Sequence, residues 1–67
     1  MKAFAERLKE LRIENGLSIQ GLAKLTKLSS SSLCRWENLQ ADIKASQLIV
    51  LAKFFDVSTD YLLGLED

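Results

Sequence analysis

The sequence contains no histidine, no proline and a single cysteine. One cysteine forms no internal disulfide, and without histidine it leaves no ligand set for a structural zinc, so no covalent or metallic staple is expected to hold the fold. The missing histidine also removes the usual general base near neutral pH, and neither a glycine-rich phosphate loop nor a nucleophile motif takes its place. The chain therefore reads as no enzyme, with no cofactor and no metal. No apolar run is long enough to span a bilayer, and the segment Met1-Lys2-Ala3-Phe4-Ala5-Glu6-Arg7 places charges among its apolar residues, unlike a signal peptide. A cytoplasmic protein with no membrane contact is the expectation.

What is present is the profile of an ordinary globular chain: 67 residues, 48% hydrophobic and 27% charged. This length reads as one domain over residues 1–67, and a domain of this size buries only about 60% of its unfolded surface, so its stability should be modest. Net charge is zero, yet the charges are unevenly placed. Residues 1–36 hold seven Lys or Arg against three acids, a surplus of four positive charges; the remainder holds two against six, a surplus of four negative charges. Such asymmetry says more about partners than the sum does.

Apolar residues recur at spacings of three and four throughout, which predicts helices and no strands. The first helix aligns Phe4, Leu8 and Leu11 on one stripe, and Asn15-Gly16 supplies residues that tolerate a left-handed stop. Three further starts share one pattern, an apolar residue, a serine and a second apolar residue four positions on: Leu17-Ser18 with Leu22, Leu28-Ser29 with Leu33, and Val57-Ser58 with Leu62. A serine hydroxyl caps the first turn while the flanking apolar residues staple it. A fourth helix carries Leu48, Ile49, Leu51, Ala52 and Phe55 and starts between Lys44 and Ser46; Asp56 ends it, as Gly64 ends the fifth. The predicted spans are 3–14, 19–26, 30–37, 46–55 and 59–63. The short connection from Thr26 to Leu28 makes the second and third helices cross, the geometry of a helix-turn-helix over residues 18–37. Ala23, small and central, should be buried at that crossing, and Leu22, Leu28, Leu33 and Trp36 should share the core beneath it.

The residues Glu6-Arg7-Leu8-Lys9-Glu10-Leu11-Arg12, Leu22-Ala23-Lys24, Leu28-Ser29 with Leu33, Arg35, Trp36, Glu37 and Asn38, and the run Leu51 to Gly64 together resemble the lambda-repressor-like, Xre-type family of phage and bacterial regulators over essentially the whole chain. The resemblance implies an all-α, five-helix lambda-repressor-like DNA-binding domain whose third helix, Ser30 to Glu37, enters the major groove of double-stranded DNA. It implies that Ser30, Ser31 and Arg35 face base edges, that Ser32 and Asn38 hold phosphates, and that the helix starts at Ser18 and Ser29 offer amides to phosphate oxygens. Lys27 in the turn reaches phosphate alone. A guanidinium pairs bidentately with guanine whereas hydroxyls discriminate little, so Arg35 should carry most of the readout.

The departures from the family pattern matter too. Ile19 stands where a phosphate-gripping Gln is usual, Lys27 replaces the turn Gly, and Leu39-Gln40-Ala41-Asp42 fills a loop that is commonly basic, with Ile43 in place of a common Pro. Fewer phosphate grips predict weak binding by a monomer and dependence on a homodimer or a second contact. A sequence-specific regulator, a repressor acting as a dimer, is the first reading of function. The alternative is a protein-interaction module of the same fold, antitoxin-like or anti-repressor, with Ile19, Leu25, Leu39 and Ile43 as an exposed adhesive patch.

Several residues also carry plainer readings. Ser29 to Ser32 could be a serine-rich linker, although Leu28 and Leu33 frame it as a helix start. Trp36 reads as core, not as a stacking platform, and Arg35 could instead pair with Glu37 on the surface. Cys34 could be a redox switch but reads more simply as a small semi-buried residue. The acids Asp60, Glu66 and Asp67 match no calcium loop and read as a solvated face, while Tyr61, Leu62, Leu63 and Leu65 read mainly as core with a share in a dimer seam.

Overall fold

The computed structural model describes residues 2–67. Its elements are α1 (Lys2–Glu14), α2 (Ile19–Thr26), α3 (Ser30–Glu37), α4 (Ala45–Phe55) and α5 (Thr59–Leu63), with no strand among the described residues. All five predicted helices are present, and no boundary differs by more than one residue.

The caps explain this agreement. Ser18, Ser29 and Ser58 each stand in extended backbone just before a helix. Their hydroxyl oxygens accept from the N–H groups of Gly21 (2.9 Å), Ser32 (3.2 Å) and Tyr61 (2.9 Å), satisfying one otherwise orphaned donor in each first turn. Lysine has no acceptor to offer, so at the start of α4 the bond runs the other way: the Lys44 N–H donates to the Gln47 side chain at 3.1 Å. That absent hydroxyl is why this start was the least legible. The stops use left-handed residues: Lys27 (φ 62), Asp56 (φ 56) and Gly64 (φ 79) end α2, α4 and α5. Gly16 (φ 67) turns the chain after α1.

α1 lies against α3 and α5, α2 against α3 and α4, and α4 against α5, around one core. Phe4, Leu8, Leu22, Leu33, Leu51 and Leu62 are its fully buried members. Trp36 is buried as read, edge-on to Phe4 with ring centroids 6.4 Å apart, a contact that fastens α3 to α1. Ala23 and Leu28 differ from expectation, since both are half-buried and pack against the rim of the core. The crossing closes through Leu22 and Leu33, and Ala23 lies one position round from it. Leu65 is no core residue, being 72% exposed, because it follows the Gly64 stop and leaves the fold.

At the far end of α1 the carboxy-terminal segment is tied down by Arg7. Its guanidinium donates to the carbonyls of Tyr61 (2.7 Å) and Glu66, and lies 4.4 Å from the centre of the Tyr61 ring. The Ser58 hydroxyl donates to the Glu66 carboxylate. Gly64 sits so close to α1 that a Cβ there would fall 2.5 Å from that of Ala3. No helix among the described residues is long and apolar enough to cross a membrane.

Candidate nucleic-acid interface

The turn between α2 and α3 is built from side chain and backbone together. Thr26 donates its hydroxyl to the Leu22 carbonyl at 2.7 Å and accepts from the Leu28 N–H at 3.4 Å, while Lys27 takes the left-handed conformation between them. A non-glycine residue there costs roughly 1–2 kcal/mol, and the lysine so held is exposed.

α3 divides cleanly into two sides. Leu33 and Trp36 point into the core, whereas Ser30, Ser31, Cys34, Arg35 and the cap residue Asn38 are exposed. Ser30, Ser31, Cys34, Arg35 and Asn38 are linked by three-and-four spacings, so the three residues read as facing base edges share one outward surface. Cys34 belongs to that surface and is not semi-buried. Ser32 is half-buried, and its N–H is taken by the Ser29 cap. Asn38 folds its amide back, donating to the Cys34 carbonyl at 2.8 Å and approaching the sulfur at 3.4 Å, so it closes the helix end. Ser18 and Ser29 accept through their oxygens as caps, which leaves each O–H free to donate. The other amides of these first turns keep their N–H groups outward, suited to phosphate oxygens.

A charge pair that sequence reasoning missed decides how this surface is presented. The Glu37 carboxylate accepts from Arg12 Nε at 2.8 Å and Nη2 at 3.0 Å, a two-pronged pair, while Arg12 Nη1 donates to the Leu17 carbonyl at 2.9 Å. The two side chains are only 14% and 6% exposed. Hydrogen bonding to Glu37 outweighs desolvation and raises the Arg12 pKa above its ordinary value. One guanidinium thus holds α1, the chain entering α2 and the end of α3 in a single arrangement. Glu37 is the one acid in α3, and its charge is turned inward and neutralised. Arg35, weighed as its partner, makes no ion pair among the described residues. Arg12 and Glu37 lie 25 positions apart, so no helical spacing could connect them; both did fall within the motifs that carried the family resemblance.

The proposed adhesive patch does not form as a set. Leu25 and Leu39 are 59% and 58% exposed, but Ile19 and Ile43 are half-buried against the core. Ile19 begins α2 beside the Leu17 staple, and Ile43 lies in the segment entering α4; both pack against the core.

Comparison with known proteins agrees with this geometry. The model of the helix-turn-helix domain family matches residues 5–67. The HTH-type transcriptional regulator YobD of Bacillus subtilis (strain 168) is 34% identical over 64 residues, covering 96% of this chain and 57% of that protein. The HTH-type transcriptional regulator ImmR of the same organism is 31% identical over 65 residues, covering 97% and 51%. The HTH-type transcriptional regulator PrpR of Mycobacterium tuberculosis (strain ATCC 25618 / H37Rv) is 42% identical over 55 residues, covering 82% and 11%. The chain thus spans about half the length of the first two relatives and about a tenth of the third. No solved structure matches it. With the capped α2–turn–α3 unit, the buried Leu22, Leu33 and Trp36 beneath it and a family model that covers nearly the whole chain, the protein belongs to the helix-turn-helix domain family, consistent with the repressor-like class its motifs resemble.

Proposed function

We propose that the chain is the DNA-binding domain of a sequence-specific transcriptional regulator, a repressor that docks as a homodimer on a near-palindromic operator. The observation that carries this reading is the contrast within α3: Arg35 is exposed and has no ion pair among the described residues, while Glu37, two residues on, is drawn inward by Arg12. The outward stripe therefore offers a cation and hydroxyls with no competing acid, the chemistry wanted by a guanine edge flanked by phosphates. Arg35 reads the base, Ser30 and Ser31 fill contacts around it, and Lys27, Ser18, Ser29 and Ser32 meet the backbone; Asn38 joins them once its amide turns from the Cys34 carbonyl to a phosphate oxygen. The relatives named as transcriptional regulators support the same reading.

Selection of bound sequences from a random pool supplies the operator, and titrations at several salt concentrations then test the roles. Arg35→Ala should weaken the best site by about 1–3 kcal/mol per half-site and relax preference at one base pair, with a much smaller loss on random DNA. Lys27→Ala should weaken all sequences alike and lower the salt slope by about one unit. Equal weakening on every sequence by Arg35→Ala would make it a phosphate clamp. No effect from either substitution would remove α3 from the groove and leave Leu25 and Leu39 as the starting point for a protein-interaction role.

A further inference from the structure

The residues that hold a left-handed backbone differ in what that conformation costs them. Gly16 and Gly64 have no Cβ to clash, and Asp56 belongs to a type whose short polar side chain makes the conformation tolerable. Lys27 (φ 62) and Leu39 (φ 61) have neither relief. Burial does not compensate Lys27, whose side chain is exposed and makes no ion pair among the described residues. Glycine would end α2 at the same place with less strain.

Backbone strain persists only where the surroundings impose it, and it gathers where a ligand is held. Thr26 imposes it here. Its hydroxyl donates to the Leu22 carbonyl at 2.7 Å and accepts from the Leu28 N–H at 3.4 Å, so one side chain ties the backbone before Lys27 to the backbone after it. Charge points to the ligand: residues 15–36 hold three cations, Lys24, Lys27 and Arg35, and no acid. All three cations are exposed. In a helix-turn-helix the first helix crosses the DNA backbone and the second enters the groove, which sets the turn between them beside the phosphates.

We propose that Thr26 holds Lys27 in its strained conformation to clamp a DNA phosphate, so that the turn gives up stability for affinity. Thr26 is then a positioning residue that acts on DNA only through Lys27. The clamp rests on the proposed function and deepens it, because it explains why a lysine stands where a glycine would fold better. Being a phosphate contact, it strengthens binding to every sequence and leaves base preference to α3.

Titrations of mixed-sequence duplex DNA at several salt concentrations, run beside thermal melts, test the clamp. Lys27→Ala removes the ammonium and keeps a Cβ, whereas Lys27→Gly removes both. Each should lower the salt slope by about one unit, but only Lys27→Gly should raise Tm, by about 4 °C. Leu39→Gly should raise Tm by a similar amount with the slope unchanged, which separates relief of strain from loss of charge. Thr26→Val should weaken binding about fivefold when Lys27 is present and less than about twofold beside Lys27→Gly, while Thr26→Ser should stay within about twofold of wild type. A Lys27→Gly chain that melts no higher than wild type, or keeps its salt slope, would overturn the proposal. So would Thr26→Val weakening both backgrounds equally, since Thr26 would then be structural alone. A wild type that binds no DNA would sink the proposed function itself. An operator preference that relaxes with Arg35→Ala, beside a salt slope that Lys27→Gly leaves intact, would sink only the clamp.

Discussion

The two arginines of α1 make a natural comparison. Arg12, near its carboxy-terminal end, meets the Glu37 carboxylate with two short bonds in a nearly dry setting. Arg7, one and a half turns earlier, ties down the carboxy-terminal segment through carbonyl groups and the Tyr61 ring, and reaches the fully exposed Asp67 carboxylate only at 4.0 Å. Both hold a distant part of the chain to one helix. They differ in what water can replace: if its partner is lost, Glu37 is left with a charge that water barely reaches, whereas Glu66 and Asp67 at the Arg7 end are exposed and can turn to solvent.

The largest expected effect follows from the dry end. Arg12→Ala should destabilise the domain by about 3 kcal/mol, because it strands the Glu37 carboxylate. Urea denaturation measures this. In a chain of this size the loss is a large part of the total stability, and much of the population should be unfolded at 37 °C. Replacing both Arg12 and Glu37 with apolar residues of similar volume should recover much of the loss; a double variant as unstable as the single one would mean that the bond to the Leu17 carbonyl matters more than the charge pair.

At the other end the strongest constraint is steric. Gly64→Ala should cost about 2 kcal/mol, since φ is +79 and the new methyl would meet Ala3 at 2.5 Å. Gly16→Ala, at a similar φ but with no atom within 4 Å, should cost only about 1 kcal/mol. Thermal melts of the pair separate backbone strain from close approach, and Ala3→Gly should partly rescue Gly64→Ala. Equal losses at the two glycines would show that the contact with α1 gives way without cost.

The smallest effects concern Arg7, whose acidic partner is fully exposed. Arg7→Ala should cost about 1 kcal/mol, through the two carbonyl bonds and the Tyr61 ring, and Asp67→Asn should change stability by less than about 0.5 kcal/mol. Amide hydrogen exchange should find the extra opening of Arg7→Ala confined to α5 and the residues after it. If Arg7→Ala matched Arg12→Ala, burial would not be what distinguishes the two ends.

Among the helices, those with a local signature were readable from the chain. Ser18, Ser29 and Ser58 act within three residues of their own position, so a propensity written in sequence survives into the fold. The same holds for the left-handed stops at Gly16, Asp56 and Gly64. Of the candidate interface, Ser30, Ser31 and Arg35 were named through the family resemblance, and α3 does leave all three exposed while Leu33 and Trp36 are buried. Positions at the edge of the crossing were less legible: Ile19, Ala23 and Leu28 all came out half-buried, because the packing of α2 on α3 decides how far the core's rim extends, as did Ile43 in the segment entering α4.

By itself the sequence determined five helices, their ends, the helix-turn-helix and the face of α3 that looks outward, since each depends on interactions within a turn or two of the chain. Only the tertiary structure decided which charges are spent and which are free. Arg12 finds Glu37 across 25 positions, and that pairing leaves Arg35 on the outward face with no ion pair among the described residues. The physical reason is that an ion pair's worth depends on distance and on exclusion of water, and both are set by packing between elements that sequence spacing does not connect.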